Sequence, residues 1–527
     1  MRGSLRQQPF RAGVKPQPIN EANGQTFTLP APYGGWNANG NLSNMPATDA
    51  VQMDNFFPGI TDVMTRRGCD NWVTNFPATV KRLMGYEGPL VRKLFASTDA
   101  GVFDATSAGT AGAAIFACSN GRWSYVNFSN SGGNFLVMVN GQDDMRVFDG
   151  STWKAINAVS TPALTGVATS SLVYVNLFKK RLWFVENNSM NLWYLDADAF
   201  AGTAHQFPVG SLFTKGGKVV ATGNWTLDNG SGQDDYFVIL TSRGQAAVYQ
   251  GTDPSSSTTW NLVGVYDVGI PVGDRPIAQY GGDLLIMTRN GLVAISQFIQ
   301  SSVIDRNSSI TVKIQGALLD FAEAYQYNYG WQTAVFRNGN FLLINVPYSV
   351  TQSFQCVMNL TTKAWCRFTN WNASAWEVFG DNLYFAAGSN VVLAWTGAAD
   401  NGSPISATVV QAYNYLKYGG QKEVTLVRPH ILVTGPTTVS YGMDTDFKNF
   451  GGMSMISYII PNGTGIWDTS HWDAAVWANN TYPIRPSWLT VPAELGYLHA
   501  FRLQSISSSA NVTWTATNFL YRPAGVL

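Results

Sequence analysis

Residues able to do chemistry are few and scattered. Four histidines, His205, His430, His471 and His499, lie far apart. None sits in an HExxH pattern, which would set two imidazoles on one helix face around zinc. Four cysteines, Cys69, Cys118, Cys356 and Cys366, show no Cys-x-x-Cys spacing and no Cys/His cluster for a tetrahedral metal site. Cys356 and Cys366 flank a predicted turn and read either as two buried thiols or as a pair facing across a hairpin. There is no GxSxG elbow, no phosphate loop and no GxGxxG after a strand. Two acidic doublets, Asp143-Asp144 and Asp234-Asp235, stand in Gly-rich turns before strands. They offer too few oxygens for calcium and read as solvated turns. Carboxylate pairs that hydrolyse glycosides converge only in space, so spacing alone does not test for them. No catalytic, cofactor-binding or metal-binding residue is named, and the chain is expected to be no enzyme.

One aromatic cluster stands out. Trp467, Trp472 and Trp477 recur every five residues in "IWDTSHWDAAVWANN", a period that fits neither helix nor strand. They read as an exposed loop for a carbohydrate or partner, or as tryptophans that anchor a long loop by buried area.

The elements that would carry such groups are strands. Charged residues are 13% of the 527, about half the usual share, while aromatics reach 13% and glycines number 51; this composition suits pleated surfaces joined by tight turns. Net charge is zero, with 33 acidic and 33 basic side chains, so no global field grips nucleic acid. No apolar run approaches the ~20 residues that span a bilayer, and the N-terminus lacks the apolar core of a signal peptide.

A repeat runs through the middle. Strongly apolar strands start at Leu94, Phe135, Arg181, Tyr236, Leu284, Phe341 and Leu383. Each is followed by a tight turn and a second strand. The spacing, roughly 40 to 57 residues, is that of propeller blades with inserted loops. The apolar runs are expected to be the innermost strands, buried on both faces. Asn290-Gly291 and Asn338-Gly339 are expected to be central pairs of type I′ turns. "VFDGSTW" at Val147 resembles part of the Asp box of propeller glycosidases with the wrong spacing, and reads as an Asp-Gly turn with a packing tryptophan. Residues 314–327 carry helical spacing. After about Thr396 the rhythm stops: "GAADNGSPIS" reads as a linker, and alternating segments beyond it as a sandwich with one wet face. The expected fold is all-β: an extended N-terminal arm over 1–45, a β-propeller of about seven blades over 46–396, and a C-terminal β-sandwich over 397–527. The arm reads either as a disordered tail or as a segment ordered on a neighbouring subunit.

The segment "PAPYGGWNANGNLSNMPATDAVQMDNFFPGITDVMTRRGC" and the C-terminal pieces "KEVTLVRPHIL", "GYLHAFRLQS" and "FLYRPAGVL" resemble the tail nozzle (tail tubular, or distal hub) proteins of short-tailed bacteriophages. Pro32, Gly34, Gly35, Met45, Pro46, Asp49, Ala50, Asn55 to Pro58 and Arg66 to Gly68 carry the N-terminal match. The resemblance implies a virion protein, assembled in the bacterial cytoplasm as a homo-oligomeric ring of six copies. That ring docks on a portal-adaptor ring and meets tail fibre or needle proteins, and DNA passes it without sequence-specific binding. Phe56, Phe57, Arg66 and Arg67 are expected to contact the arm or a neighbouring copy, with Pro58-Gly59 at the centre of the turn. The alternative is a receptor- or glycan-binding propeller, able in one version to cleave glycans.

Overall fold

A computed structural model describes residues 24–38, 40–228, 233–300, 309–449, 452–458, 482–483, 487–492 and 494–524. Trp467, Trp472, Trp477 and His471 lie outside the described residues, as does the arm up to residue 23.

Seven small sheets follow one another along the chain, each an antiparallel meander. Their first strands are Arg82–Glu87, Ser124–Asn130, Leu172–Phe178, Val219–Asp228, Ile277–Tyr280, Gln332–Phe336 and Ala375–Phe379. Each first strand packs against the next, and the seventh packs against the first. This closed ring is a seven-bladed propeller, in which radial closure leaves few free sheet edges.

The apolar runs are the second strands, one place out from the axis: Arg92–Thr98, Gly133–Val139, Arg181–Glu186, Gln233–Thr241, Asp283–Thr288, Phe341–Pro347 and Asn382–Ala387. Phe341–Pro347 is buried at every residue. The reading of these runs as innermost is therefore corrected. A second strand is covered on both faces by neighbouring blades, whereas a first strand borders the axis and keeps polar positions, as in Ile277–Tyr280.

Blades 2, 3, 4 and 6 have four strands. Blade 5 has three, then a helix, Ile295–Gln300, and the expected helix, now Gln315–Tyr325. Blade 7 takes its outer strand from the far end of the chain: Gly68–Thr74 pairs antiparallel with Asn390–Thr396.

The turn predictions are corrected in detail. Before Gly291 the central residues are Arg289-Asn290, with positive φ only at Gly291 (+105°). In the next blade the positive φ falls on Asn340 (+55°). Gly339 is needed for space, because a Cβ there would stand 2.5 Å from Phe336 and Phe341. Cys356 and Cys366 are free and buried. Val357 opposes Cys366 across the ladder while Cys356 opposes Arg367. The two thiols thus point to opposite faces of the sheet, because successive side chains alternate, and they do not face each other.

The sandwich packs two sheets. One holds Gln25–Pro30, Val512–Pro523 and Lys422–Val433; the other holds Asp49–Asp54, Ser403–Gln411, His499–Ser507, Thr437–Thr445 and Ser454–Tyr458. Phe501 meets Trp514 at 5.4 Å and Phe519 at 6.2 Å between ring centroids. The expected boundaries at 45 and 396 are corrected accordingly. Strands from residues 25–65 belong to the sandwich, and the propeller begins at Gly68. The supposed linker is a hairpin of Ala399–Asp400 and Ser403–Gln411. The short strands near the N-terminus cannot stand alone, and the long strand Val512–Pro523 offers an edge to Gln25–Pro30 and to Val63–Thr65.

Candidate functional site

Two constellations repay description: the joint between the two bodies and the mouth of the axial tunnel.

At the joint, Asn55 (φ +56°) kinks the chain between Asp49–Asp54 and the hairpin Phe56–Pro58 with Val63–Thr65. The turn spans Gly59–Asp62, closed by the Gly59 amide donating to the Asp62 carbonyl at 2.8 Å. Pro58 ends the first strand rather than occupying the turn, which corrects the expected turn centre. Phe57 enters an aromatic nest made by blades 6 and 7, with Phe341 at 6.1 Å, Phe368 at 6.3 Å and Trp395 at 5.6 Å. Phe56 is fully buried.

Arg66 is also fully buried. Its guanidinium grips Asp400 with two bonds of 2.6 and 2.8 Å. It donates further to Asn55 Oδ1 (2.8 Å) and to the Thr369 and Arg67 carbonyls (both 2.9 Å). Its Cζ lies 4.5 Å from the centroid of the Trp371 ring. A planar fork that fills every donor is what makes a buried arginine tolerable. Phe56, Phe57 and Arg66 therefore lock the chain to itself and offer no surface to another copy; of the four, only Arg67 is exposed. Asp400, hidden in the supposed linker, was missed.

The tunnel holds a polar network contributed by five blades. Arg82 of blade 1 pairs with Asp274 at 2.6 Å. Tyr125 of blade 2 donates to Glu377 of blade 7. Arg275, leading into blade 5, lies 5.6 Å over the Tyr125 ring. Tyr329, leading into blade 6, donates to the Lys81 carbonyl. Blades 2 and 5 stand on opposite sides of a ring of seven, so these side chains meet across the axis. Burial raises Glu377 to about 7, against the Tyr125 hydrogen bond and the Arg275 charge, which lower it. Burial and then the Arg82 charge lower Arg275.

The sign of the Glu377 effect is testable. Between pH 4.5 and 7 the folded chain holds a proton that the unfolded chain has lost, so this group's contribution to stability falls as pH rises. His499 is held down to about 4, chiefly by burial, and works in the opposite direction between pH 4 and 6.5. Glu377→Gln isolates the first term. The variant is expected to match the parent at pH 5 and to exceed it by on the order of 2 kcal/mol at pH 8. Urea midpoints at the two pH values measure this, and an equal difference at both would refute the assignment.

Around the tunnel mouth, loops of several blades form a cavity of about 1040 Å³. Lys81, Arg122, Lys218, Arg243 and Arg289 line it, with Asp274 as its carboxylate. Arg122 lies 4.4 Å over the Tyr329 ring. Sequence reasoning missed this cup, because its cations are spread over blades 1, 2, 4 and 5.

The other candidates have structural placements. Asp143 accepts from Ser119 and Asn140, Asp144 from Asn157, and Asp235 pairs with Lys179 at 2.5 Å. These carboxylates tie turns and blades together, which corrects the reading as solvated turns. Asp149 caps its own turn through Ser151 and Thr152, and Trp153 packs on Phe95 at 4.9 Å. Among the described residues no group of three or more His, Cys, Asp or Glu gathers as for a metal ion. The loop 251–260 joins the two outer strands of blade 4, away from the axis.

No family model matches the chain, and no curated protein does. Among solved structures, it is similar to BBS1N in complex with ARL6DN (TM-score 0.37, 8% identity, covering 63% of this chain and 99% of that one). It is equally similar to the Cps50 (Swd1) β-propeller domain of Myceliophteria thermophila (0.37, 8%, 62% and 99%). A glycoside hydrolase family 43 arabinoxylan arabinofuranohydrolase from Bacillus subtilis aligns over 91% of this chain and 98% of its own at TM-score 0.25 and 9% identity.

Proposed function

We propose that the chain is a structural subunit of a short phage tail, forming the nozzle ring at the distal end of a portal-adaptor channel. That ring retains the genome and lets it pass during ejection. The observation that carries this reading is the joint. The residues behind the resemblance, Asn55, Phe56, Phe57 and Arg66, fuse propeller and sandwich through a buried arginine and an aromatic nest. A wall that must hold against a packed genome needs bodies that do not hinge, and a joint of this kind supplies one. Side chains from opposite blades meet in the propeller's own bore, so in this reading DNA passes between subunits, through the hole that head-to-tail copies enclose. Heterologous contacts close into such rings, and six copies are expected. Portal-adaptor, fibre and needle proteins are the partners, and the location is the virion, assembled in the bacterial cytoplasm.

Light scattering on a sizing column, with negative-stain images, tests this in the presence of the adaptor ring. Rings containing this chain support the reading. A monomer that ignores the adaptor overturns it. The basic cup favours a second reading, a receptor- or glycan-binding propeller, which would stay monomeric or trimeric and retain its ligand.

A further inference from the structure

The cup at the tunnel mouth gathers several cations in one concave wall. Elsewhere cations either pair with a carboxylate, as Lys93 does with Asp104 at 2.8 Å and Arg367 with Asp54 at 2.6 Å, or stand singly, as Arg146, Lys363, Lys417 and Arg428 do over aromatic rings. Among the described residues, Arg122, Lys218, Arg243 and Arg289 have no carboxylate within 4.0 Å. Lys81 has Asp99 only at 3.9 Å. The nearby carboxylates are taken: Asp274 by Arg82 at 2.6 Å and Asp267 by Lys215. The Arg289 Nε is buried without a hydrogen-bond partner, an arrangement that costs stability unless something else meets it. Like charges gathered in a concave wall also repel, and such a cleft focuses field on an incoming anion.

Shape fixes the ligand class further. The cavity is at the upper end of the range for small-molecule sites. Side chains that meet across the axis close the bore, and a second, smaller cavity lined by Arg82, Arg275 and Tyr174 shares Arg122, Lys218 and Asp274 with the cup. A duplex cannot enter; a compact molecule can. Arginine forks match the two oxygens of a phosphate or carboxylate.

We infer that this cup is an oxyanion site that takes a compact ligand bearing several phosphate or carboxylate groups. It holds the anions between the blade 4 and 5 cations, Lys218, Arg243 and Arg289, and Arg122 at the entry to blade 2. The inference does not rest on the nozzle reading: it concerns the single chain, and a failure to form rings leaves it unaffected.

Titration calorimetry on the full chain tests it, with inorganic triphosphate and trigalacturonate as two probes and neutral maltotriose as control. Binding of triphosphate, trigalacturonate or both is expected, weakening with added salt, with maltotriose silent. The double variant Arg243→Ala/Arg289→Ala should weaken binding at least tenfold. The pair Arg122→Ala/Lys218→Ala changes two exposed side chains, keeps the fold and should do the same. Arg92→Ala, at the far end of blade 1, should change nothing. Preference for triphosphate assigns a phosphate ligand, and preference for trigalacturonate an acidic saccharide. Binding of neither probe, or binding that both double variants leave intact, overturns the site.

Discussion

Replacing Arg66 by alanine is expected to cost about 3–5 kcal/mol of folding stability, enough to bring most domains near their threshold. Removal of the guanidinium leaves Asp400 in place, with a side chain only 12% exposed. It also takes the arginine donor from the Thr369 carbonyl and one of two donors from the Asn55 amide oxygen, which keeps the Thr369 amide. The penalty is that of a lone buried charge, more than of a lost attraction. A second variant separates the two. Arg66→Met with Asp400→Leu leaves no orphaned charge, so it should be less damaging than Arg66→Ala alone. Urea midpoints of the three proteins decide the matter, and a double variant that costs as much as the summed single changes would contradict the account.

The Phe57→Ala variant should lose about 3–5 kcal/mol through the cavity it leaves. Phe341 and Phe368 cannot collapse inward, because each is paired within the sheet of blade 6, and Trp395 is set at a bulge of Asn390–Thr396. The nest spans two blades and the hairpin, so the loss should also loosen their union. In the parent, tryptophan fluorescence and far-ultraviolet dichroism should report one transition; in the variant they should separate. Coincident transitions at the parent midpoint would rule out a role for this ring in coupling the bodies.

Part of this architecture was legible from the residues. The apolar runs from Leu94 to Leu383 mark all seven second strands, because a strand covered on both faces must be apolar throughout. The helix at Gln315–Tyr325 was legible for the same kind of reason, a single apolar stripe. What stayed hidden depends on distance along the chain. "GCDNWVT" has neither a strong apolar run nor a strict alternation, and nothing local says that its partner begins at Asn390. Asp400 sits in turn-like sequence, so its pairing with Arg66 across 334 positions has no local signature. The cup follows the same rule. Arg243 and Arg289 occupy matching hairpins of consecutive blades, "SRGQ" and "TRNG", a correspondence visible only once the repeats are superposed. Lys81, Arg122 and Lys218 likewise stand just ahead of the first strands of blades 1, 2 and 4.

Gly68–Thr74 also orders events during synthesis. This segment leaves the ribosome long before residues 390–396, its ladder partner, exist. Gln25–Pro30 and Val63–Thr65 wait longer still, for Val512–Pro523. The nascent chain therefore carries Gln25–Pro30, Asp49–Asp54 and Gly68–Thr74 with unpaired edges, the templates most prone to mispairing. The circle is welded shut only when the last strands arrive, and a chain stopped at a premature codon near residue 390 would be unable to seal it.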